Sequence, residues 1–482
     1  MILHRFCYNL ASPRQRFQSM SRLFRPKMNQ ILSPPEAVYL MQDLNKTAFE
    51  KTIKVPVITA TNVKISSVIP PLKKLLFKIE KFKPIVNHAD NKFSIYLTPE
   101  KVQKWEDLPQ KDLESTNISE SNLSMQDFTL KYENYTAEAI LRAVLPRDKE
   151  GVSSFTKVGH IVHVNLREHL MPYKNLIGEV LFDKVQGCQS VVNKVNMIDN
   201  TFRHFKMEVL KGDSNMHTLL KENNCKFEFD FSTVYWNSRL CTEHERIVKS
   251  IGNDHVLFDV FAGVGPFAIP VAKKKSKVYA NDLNPESYKW LMHNKKLNKI
   301  SDEYFEGYNM DGRDFILTVL KENLPKHVGK QIVVTMNLPA LAVEFLNSFV
   351  GLLKNSENIS TLTVYVYCFT KGENPEQLAR DLIHTNLKVK GVNVDEKIKE
   401  IFKVRTVSSM KEMMRVTLSL DKDILAGEVV TCKRSMEEES LVCKKICTED
   451  KNGQKQEENQ QCFQSDGSQE SENEGQSESG KE

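Results

Sequence analysis

Residues 256–272, VLFDVFAGVGPFAIPVA, constrain the fold more tightly than any other part of the chain. Val256 to Val260 is apolar enough for a strand covered on both faces, and Gly263 and Gly265 permit the positive φ and close backbone approach of a sharp turn into a helix. Pro266 stands where a first helical residue tolerates a missing N–H. A strand, glycine turn and helix in this order predict an α/β architecture on parallel strands.

Written Gly263-x-Gly265-x-x-Ala268, the loop fits a dinucleotide fingerprint, the first loop of an S-adenosylmethionine (AdoMet) methyltransferase, or a tight turn without a ligand. The downstream residues separate these readings. KVYAND (277–282) is a second apolar strand ending in Asp282, about 20 residues past the glycines, where a carboxylate holds ribose hydroxyls of either cofactor. An amphipathic helix over 285–297 leads to Asp311, expected to end a third strand, and QIVVTM (331–336) is a fourth, closed by Asn337-Leu338-Pro339. A side-chain amide and a carbonyl at that strand end can hold the N–H edge of a planar base beside a methyl donor. A dehydrogenase has no need of this. No Gly-Lys-Ser/Thr follows the glycines, which argues against a phosphate-binding P-loop, and Leu338-Pro339 offers no nucleophilic cysteine of the kind a 5-methylcytosine enzyme needs. Cys368, in the apolar run 362–369, reads as a core residue.

The segments FDVFAGVGPFAIPVA, NDLNP, NMDGRDF and MNLP, with FRHFKMEVLKG (202–212) and FEFDFSTVYWNSRLCTEHERI (227–247) upstream, resemble the AdoMet-dependent tRNA (guanine(37)-N1)-methyltransferases of archaea and eukaryotes. The resemblance covers most of residues 130–420. It implies a Rossmann-like class I AdoMet methyltransferase domain at 236–425, preceded by a mixed α/β module at 130–235 and a small tRNA-contacting domain at 34–105.

Taken in order, residues 1–33 carry six basic residues and no acid, the pattern of a mitochondrial transit peptide, and Met20 and Met28 could begin a shorter product that stays in the cytoplasm or nucleus. The expected location is the mitochondrial matrix, with a second pool in cytoplasm and nucleus. The polar run 106–129 reads as a linker. A helical pattern over 136–145 stops at Pro146, and strand-like runs follow at 159–166, 190–198, 207–210 and 226–231. Beyond 425 apolar periodicity fades into an acidic tail (426–482) expected to be disordered. No segment approaches the roughly 18 apolar residues of a membrane span, and the nine cysteines show no paired spacing for disulfides or zinc. A net charge of +5 overall, with −7 in residues 449–482, leaves the rest basic and compatible with a polyanionic partner.

Guanine N1 carries a proton and its lone pair is tied into the ring amide, so its methylation needs a base. By position alone, Glu243 and His244 are first-turn residues favoured by the helix dipole, behind Thr242 and Glu245 at capping-box spacing. The resemblance makes Glu243 the base and Arg203 the cation that meets charge spreading to O6. It assigns Asn337 to the base edge and Tyr235 to packing against the base. Around AdoMet it places His244, Phe261, Gly263, Gly265, Asp282, Leu283, Asp311, Gly312, Asn337 and Pro339. A sulfonium is already an activated methyl donor, so no metal is called for. The implied product is N1-methylguanosine at position 37 of tRNA, which supports reading-frame maintenance, and the implied enzyme is a monomer. Two departures affect turns: Ser238 stands where the family usually has proline, and Ser408-Ser409-Met410 replaces an Ala-Pro-polar turn. Other classes remain, namely another enzyme on the same cofactor fold and an inactive RNA-binding module. Asn337-Leu338-Pro339 weighs against a dehydrogenase, and intact Glu243 and Arg203 against an inactive module.

Overall fold

The computed structural model describes residues 31–152, 155–197, 205–354 and 361–429. The transit-peptide reading of residues 1–33 and the tail reading of 426–482 therefore fall almost wholly, and Arg203 wholly, outside the described residues.

The N-terminal sheet has strand order β2-β3-β1-β4, all antiparallel, from β1 (Lys51–Thr61), β2 (Ile85–Asn87), β3 (Lys92–Tyr96) and β4 (Leu123–Leu130). Ile58, Phe93 and Ile95 pack against Val68 and Leu72 of helix α1 (Ile65–Leu72) and against Trp105 and Leu113. The expected linker is therefore wrong for most of its length. Residues 106–129 include helix α2 (Gln110–Glu114) and almost all of β4, which pairs with β1 from Leu130 opposite Lys51 to Leu123 opposite Ile58. The stretch is polar because β4 is an edge strand with mostly exposed or half-exposed residues, which masks its periodicity.

The second sheet, β5-β6-β7-β8, joins β5 (Thr156–Val158), β6 (Ile161–Val164), β7 (Ser190–Met197) and β8 (Phe205–Gly212), with β6 and β7 parallel. Helix α3 (Ala137–Val144) starts where the side chain of Thr136 accepts from the Ala139 N–H at 3.2 Å and ends before Pro146. Leu176, Ile177 and Val180 of α4 (Lys174–Lys184) cover this sheet, in a core that continues to Val38, Phe49 and Val55. The small domain and the module thus share one hydrophobic core.

A hairpin of β9 (His217–Glu222) and β10 (Cys225–Asp230) leads into helix α5 (Cys241–Ser250). Phe227, Phe229 and Phe231 alternate with polar residues as expected, but they are buried with Leu257, Phe267 and Leu291. That core also takes in Val158, Ile161 and Val192 of the second sheet, so it runs across the expected boundary at 236.

The last sheet has the order β13-β12-β11-β14-β15-β17-β16. Its strands are β11 (Val256–Asp259), β12 (Lys277–Asn281), β13 (Phe305–Tyr308), β14 (Ile332–Met336), β15 (Leu362–Lys371), β16 (Ile398–Ser408) and β17 (Lys411–Leu420). The first five are parallel and β17 runs antiparallel between β15 and β16. Dinucleotide-binding sheets follow a 3-2-1-4-5-6 order of parallel strands, so the reversed β17 sets this domain apart from them. Every residue of β11 and β14 is buried, as continuous apolar runs demand. Chain order reverses at β11, and the crevice outside the carboxyl ends of β11 and β14 is where such sheets bind ligands.

Candidate active site

The glycine loop leaves β11 and enters α6 (Ala268–Lys273) with φ of +56° at Gly263 and +98° at Gly265. These two glycines are needed for different reasons. A Cβ on Gly265 would sit 2.5 Å from Ile269 and 2.8 Å from Leu291, whereas a Cβ on Gly263 would meet nothing within 4 Å. Gly265 lets the turn close against α6 and the helix Pro285–Leu297, and Gly263 leaves a cradle open. Gly265→Ala is accordingly expected to lower the melting temperature strongly, by clash and strain. Gly263→Ala should cost only about 1–2 kcal/mol for a left-handed alanine yet still abolish ligand binding. Thermal melts beside calorimetric titration separate the two, and intact binding in Gly263→Ala would remove the cradle from the site.

The cradle is walled by acids and amides. The Gly263 N–H donates to Asp282 Oδ2 at 2.7 Å and the Asn284 N–H to Asp282 Oδ1 at 3.0 Å. Asn281 Nδ2 donates to the Val260 and Met310 carbonyls at 3.1 and 3.0 Å, tying three strand ends together. Leu283 is exposed, and its carbonyl and that of Asp282 accept from Asn309. Asp311 caps α7 (Gly312–Phe315) by accepting from the Arg313 N–H at 2.7 Å. A Cβ on Gly312 would lie 2.7 Å from the Phe261 ring, so glycine allows that close approach, and Phe261 packs edge-on to Phe345. Pro339 accepts from the Phe369 N–H at 2.9 Å, and the adjacent Asn337 has a buried Oδ1 with no hydrogen-bond partner. A buried orphan acceptor at a strand end is what a ligand donor would satisfy.

Sequence reading missed Asp259, the last residue of β11. It is fully buried, accepts from Thr335 Oγ1 at 2.8 Å and leaves Oδ2 without a partner. Burial pushes its carboxyl up to about 7, and burial also raises Asp282 to about 6 against the Gly263 and Asn284 N–H bonds. Both groups hold a proton more readily folded than unfolded, where the carboxyl value is 3.8. Between about pH 4 and 7 the folded state therefore binds more protons, and this contribution to stability falls as pH rises. Asp259→Asn should flatten the decline of the melting temperature from about pH 5 to pH 8. Equal slopes in both proteins would contradict it.

Glu243 lies in the first turn of α5 and is 4% exposed. Its Oε1 accepts from Tyr367 Oη at 3.0 Å and from Arg415 Nη1 at 2.8 Å. Tyr367 in turn lies nearly parallel to Phe267 of the glycine turn, with ring centroids 6.3 Å apart, which brings the carboxylate beside the cradle. Neither Tyr367 nor Arg415 was singled out from the sequence, because they come from the last parallel strand, β15, and from the antiparallel β17, each more than a hundred residues away. His244 is also buried, with Nδ1 2.6 Å from Glu222 Oε1 and its ring edge-on to Phe267. It supports the loop from behind. The expected Thr242 cap is not formed: α5 opens at Cys241 with no side-chain cap, and Asn237 instead caps the preceding short turn by accepting from the Arg239 N–H. The extra turn, Ser238–Leu240, displaces Thr242 into the helix.

Tyr235 is 51% exposed, and its hydroxyl accepts from Asn237 Nδ2 at 3.3 Å. Trp236, packed on Phe227 and Phe229, donates to Ser238 Oγ at 3.2 Å, and that hydroxyl donates to the Lys157 carbonyl at 3.2 Å. Serine thus pins this turn by hydrogen bonds where a proline would pin it by its ring. Met410 takes a left-handed φ of +62° in the β16–β17 hairpin, accommodating the second departure. Among the described residues no cluster suits a metal and no helix is long and apolar enough to cross a membrane.

Comparison with known proteins agrees with this geometry. A family model described as the TRM5/TYW2 methyltransferase domain matches residues 218–394, and one described as the TYW2 N-terminal domain matches 137–215. A tRNA (guanine(37)-N(1))-methyltransferase of Drosophila melanogaster is 46% identical over 431 residues, covering 86% of this chain and 93% of that protein. One of Homo sapiens is 42% identical over 430 residues, covering 86% and 83%. Among solved structures, wild-type Trm5b from Pyrococcus abyssi superposes with a TM-score of 0.54 at 21% identity, covering 76% of this chain and 98% of that one. The complex of aTrm5 and tRNALeu gives 0.52 at 21% identity, with 76% and 100% covered. These two structures share the fold.

Proposed function

We infer from this chain's membership of the tRNA (guanine(37)-N(1))-methyltransferase family that it transfers a methyl group from AdoMet to N1 of guanosine 37 in tRNA. The observation that carries the reading is a cradle with vacant hydrogen-bonding capacity, Asn337 Oδ1 and Asp259 Oδ2, one aromatic ring from a buried carboxylate. AdoMet fits it. Asp282 would hold the ribose hydroxyls, the open backbone at Gly263 would admit the ligand closely, and Phe261, Leu283, Asp311, Gly312 and Pro339 would line the rest. When bound, AdoMet supplies an electrophilic methyl group.

The protein's own residues manage the guanine. Glu243 takes the N1 proton, Tyr235 packs on the exposed base, Asn337 meets its edge, and Arg203 stabilises the charge that moves to O6. All of these come from one chain, so the proposed site needs no second subunit, which is compatible with a monomer. The arginine-rich, acid-free residues 1–33 support delivery to the mitochondrial matrix, with a shorter product in cytoplasm and nucleus.

Calorimetry tests the cofactor assignment. AdoMet should bind without added magnesium or zinc, and Asp282→Ala should weaken it. Tight NADH binding with no AdoMet heat would overturn the reading.

A further inference from the structure

Glu243 sits in a buried chain of charges that its role as a base does not by itself require. Oε1 receives both the Tyr367 hydroxyl and the Arg415 guanidinium, while among the described residues Oε2 meets only Arg246 Nη1 at 3.4 Å, too long for a strong hydrogen bond. Arg415 is itself 4% exposed and lies between the rings of Tyr365 and Phe402 at 5.4 and 5.0 Å. Its second nitrogen, Nη2, donates to Glu400 Oε2 at 2.5 Å, and that side chain is 53% exposed. The groups facing Glu243 are thus Arg246 from its own helix, Tyr367 from β15 and Arg415 from β17. Glu400 on β16 stands behind the guanidinium, and Asp259 on β11 is close enough to oppose ionisation of Tyr367.

We propose that Arg415 and Glu400 are positioning residues for methyl transfer: Arg415, with Tyr367, anchors Oε1 so that Oε2 is the atom that takes the N1 proton, and Glu400 neutralises Arg415 once Glu243 is neutral. The proposal rests on Glu243 being the base. As the step proceeds, the N1–H bond breaks, its proton forms a bond to Oε2, and the N1 electron pair forms the bond to the methyl carbon while the carbon–sulfur pair stays on the departing thioether. The buried site loses one negative charge at Glu243, which would strand Arg415 without a second carboxylate. Glu400 is that carboxylate, and its half-exposed position gives the pair contact with solvent. Burial keeps Tyr367 protonated, so it remains a donor throughout.

The two residues should shift the reaction in opposite directions. Losing the Arg415 cation makes Glu243 easier to protonate, so the pH at which single-turnover rate reaches half its plateau should rise by about 1–3 units in Arg415→Met. Losing the Glu400 anion strengthens the hold of Arg415, so the same point should fall by a few tenths of a unit in Glu400→Gln. Arg415→Lys should keep the wild-type position with a lower plateau, because the cation remains and the fork is lost. KM for tRNA should change by less than about twofold in all three. A second readout needs neither substrate: infrared difference spectra of each protein against its own Glu243→Gln derivative, recorded during pH titration, should show the Glu243 carboxylate band moving in the same two directions. Should Arg415→Met fail to fold, Glu400→Gln, at a half-exposed site on an edge strand, decides alone. Unmoved profiles alongside a slow Glu243→Gln overturn the proposal and leave the base reading standing, and so does an infrared shift with no rate shift. A Glu243→Gln enzyme as fast as wild type overturns the base reading itself.

Discussion

Glu243→Gln is expected to lower the single-turnover rate on G37 tRNA by about 10²–10⁴-fold, the usual cost of removing a general base. Because the proton moves only as the methyl transfers, the loss should fall on kcat and leave KM nearly unchanged. The wild-type rate should rise from acidic to neutral pH, and the variant should lose much of that rise. The amide oxygen can still accept from Tyr367 and Arg415, and Glu400 keeps Arg415 compensated. The stability cost is therefore expected to stay near the 1.5–3 kcal/mol, about, of a hydrogen bond to a charged group, with AdoMet affinity intact. A variant that transfers methyl groups at the wild-type rate would reduce Glu243 to a structural partner of Arg415.

The second large effect is electrostatic. The chain is net basic despite its acidic tail, and a tRNA substrate presents a phosphate at every nucleotide. If four phosphates are engaged, the dependence on salt gives roughly a hundredfold loss of affinity between about 50 and 200 mM. Filter binding or anisotropy across that range measures it. A flat response would point to a substrate other than a polyanion.

What could be read in advance follows from locality. The glycine loop, the strands at 277–282 and 331–336 and the helix Pro285–Leu297 were legible because each is set by a short apolar run and its own cap or turn. Asn337 and Asp282 were legible because they end such runs. The β16–β17 hairpin gave no such signal, since bulges break its alternation, and with it Arg415 and Glu400 were hidden. β4 was hidden by its wet edge, and the alternation of the β9–β10 hairpin shows that one face is buried but not that its core is shared between the second sheet and the glycine-turn domain. Thr242 fits a capping box in sequence, yet the short turn begun by Asn237 takes over the start of the helix.

The most direct test of the central claim is methyl incorporation from labelled AdoMet into two unmodified tRNA transcripts that differ only at position 37. The G37 transcript should be labelled and yield N1-methylguanosine on digestion, while the A37 transcript should remain unlabelled. Equal labelling of both, or none of the G37 transcript by protein that binds AdoMet, would contradict the account.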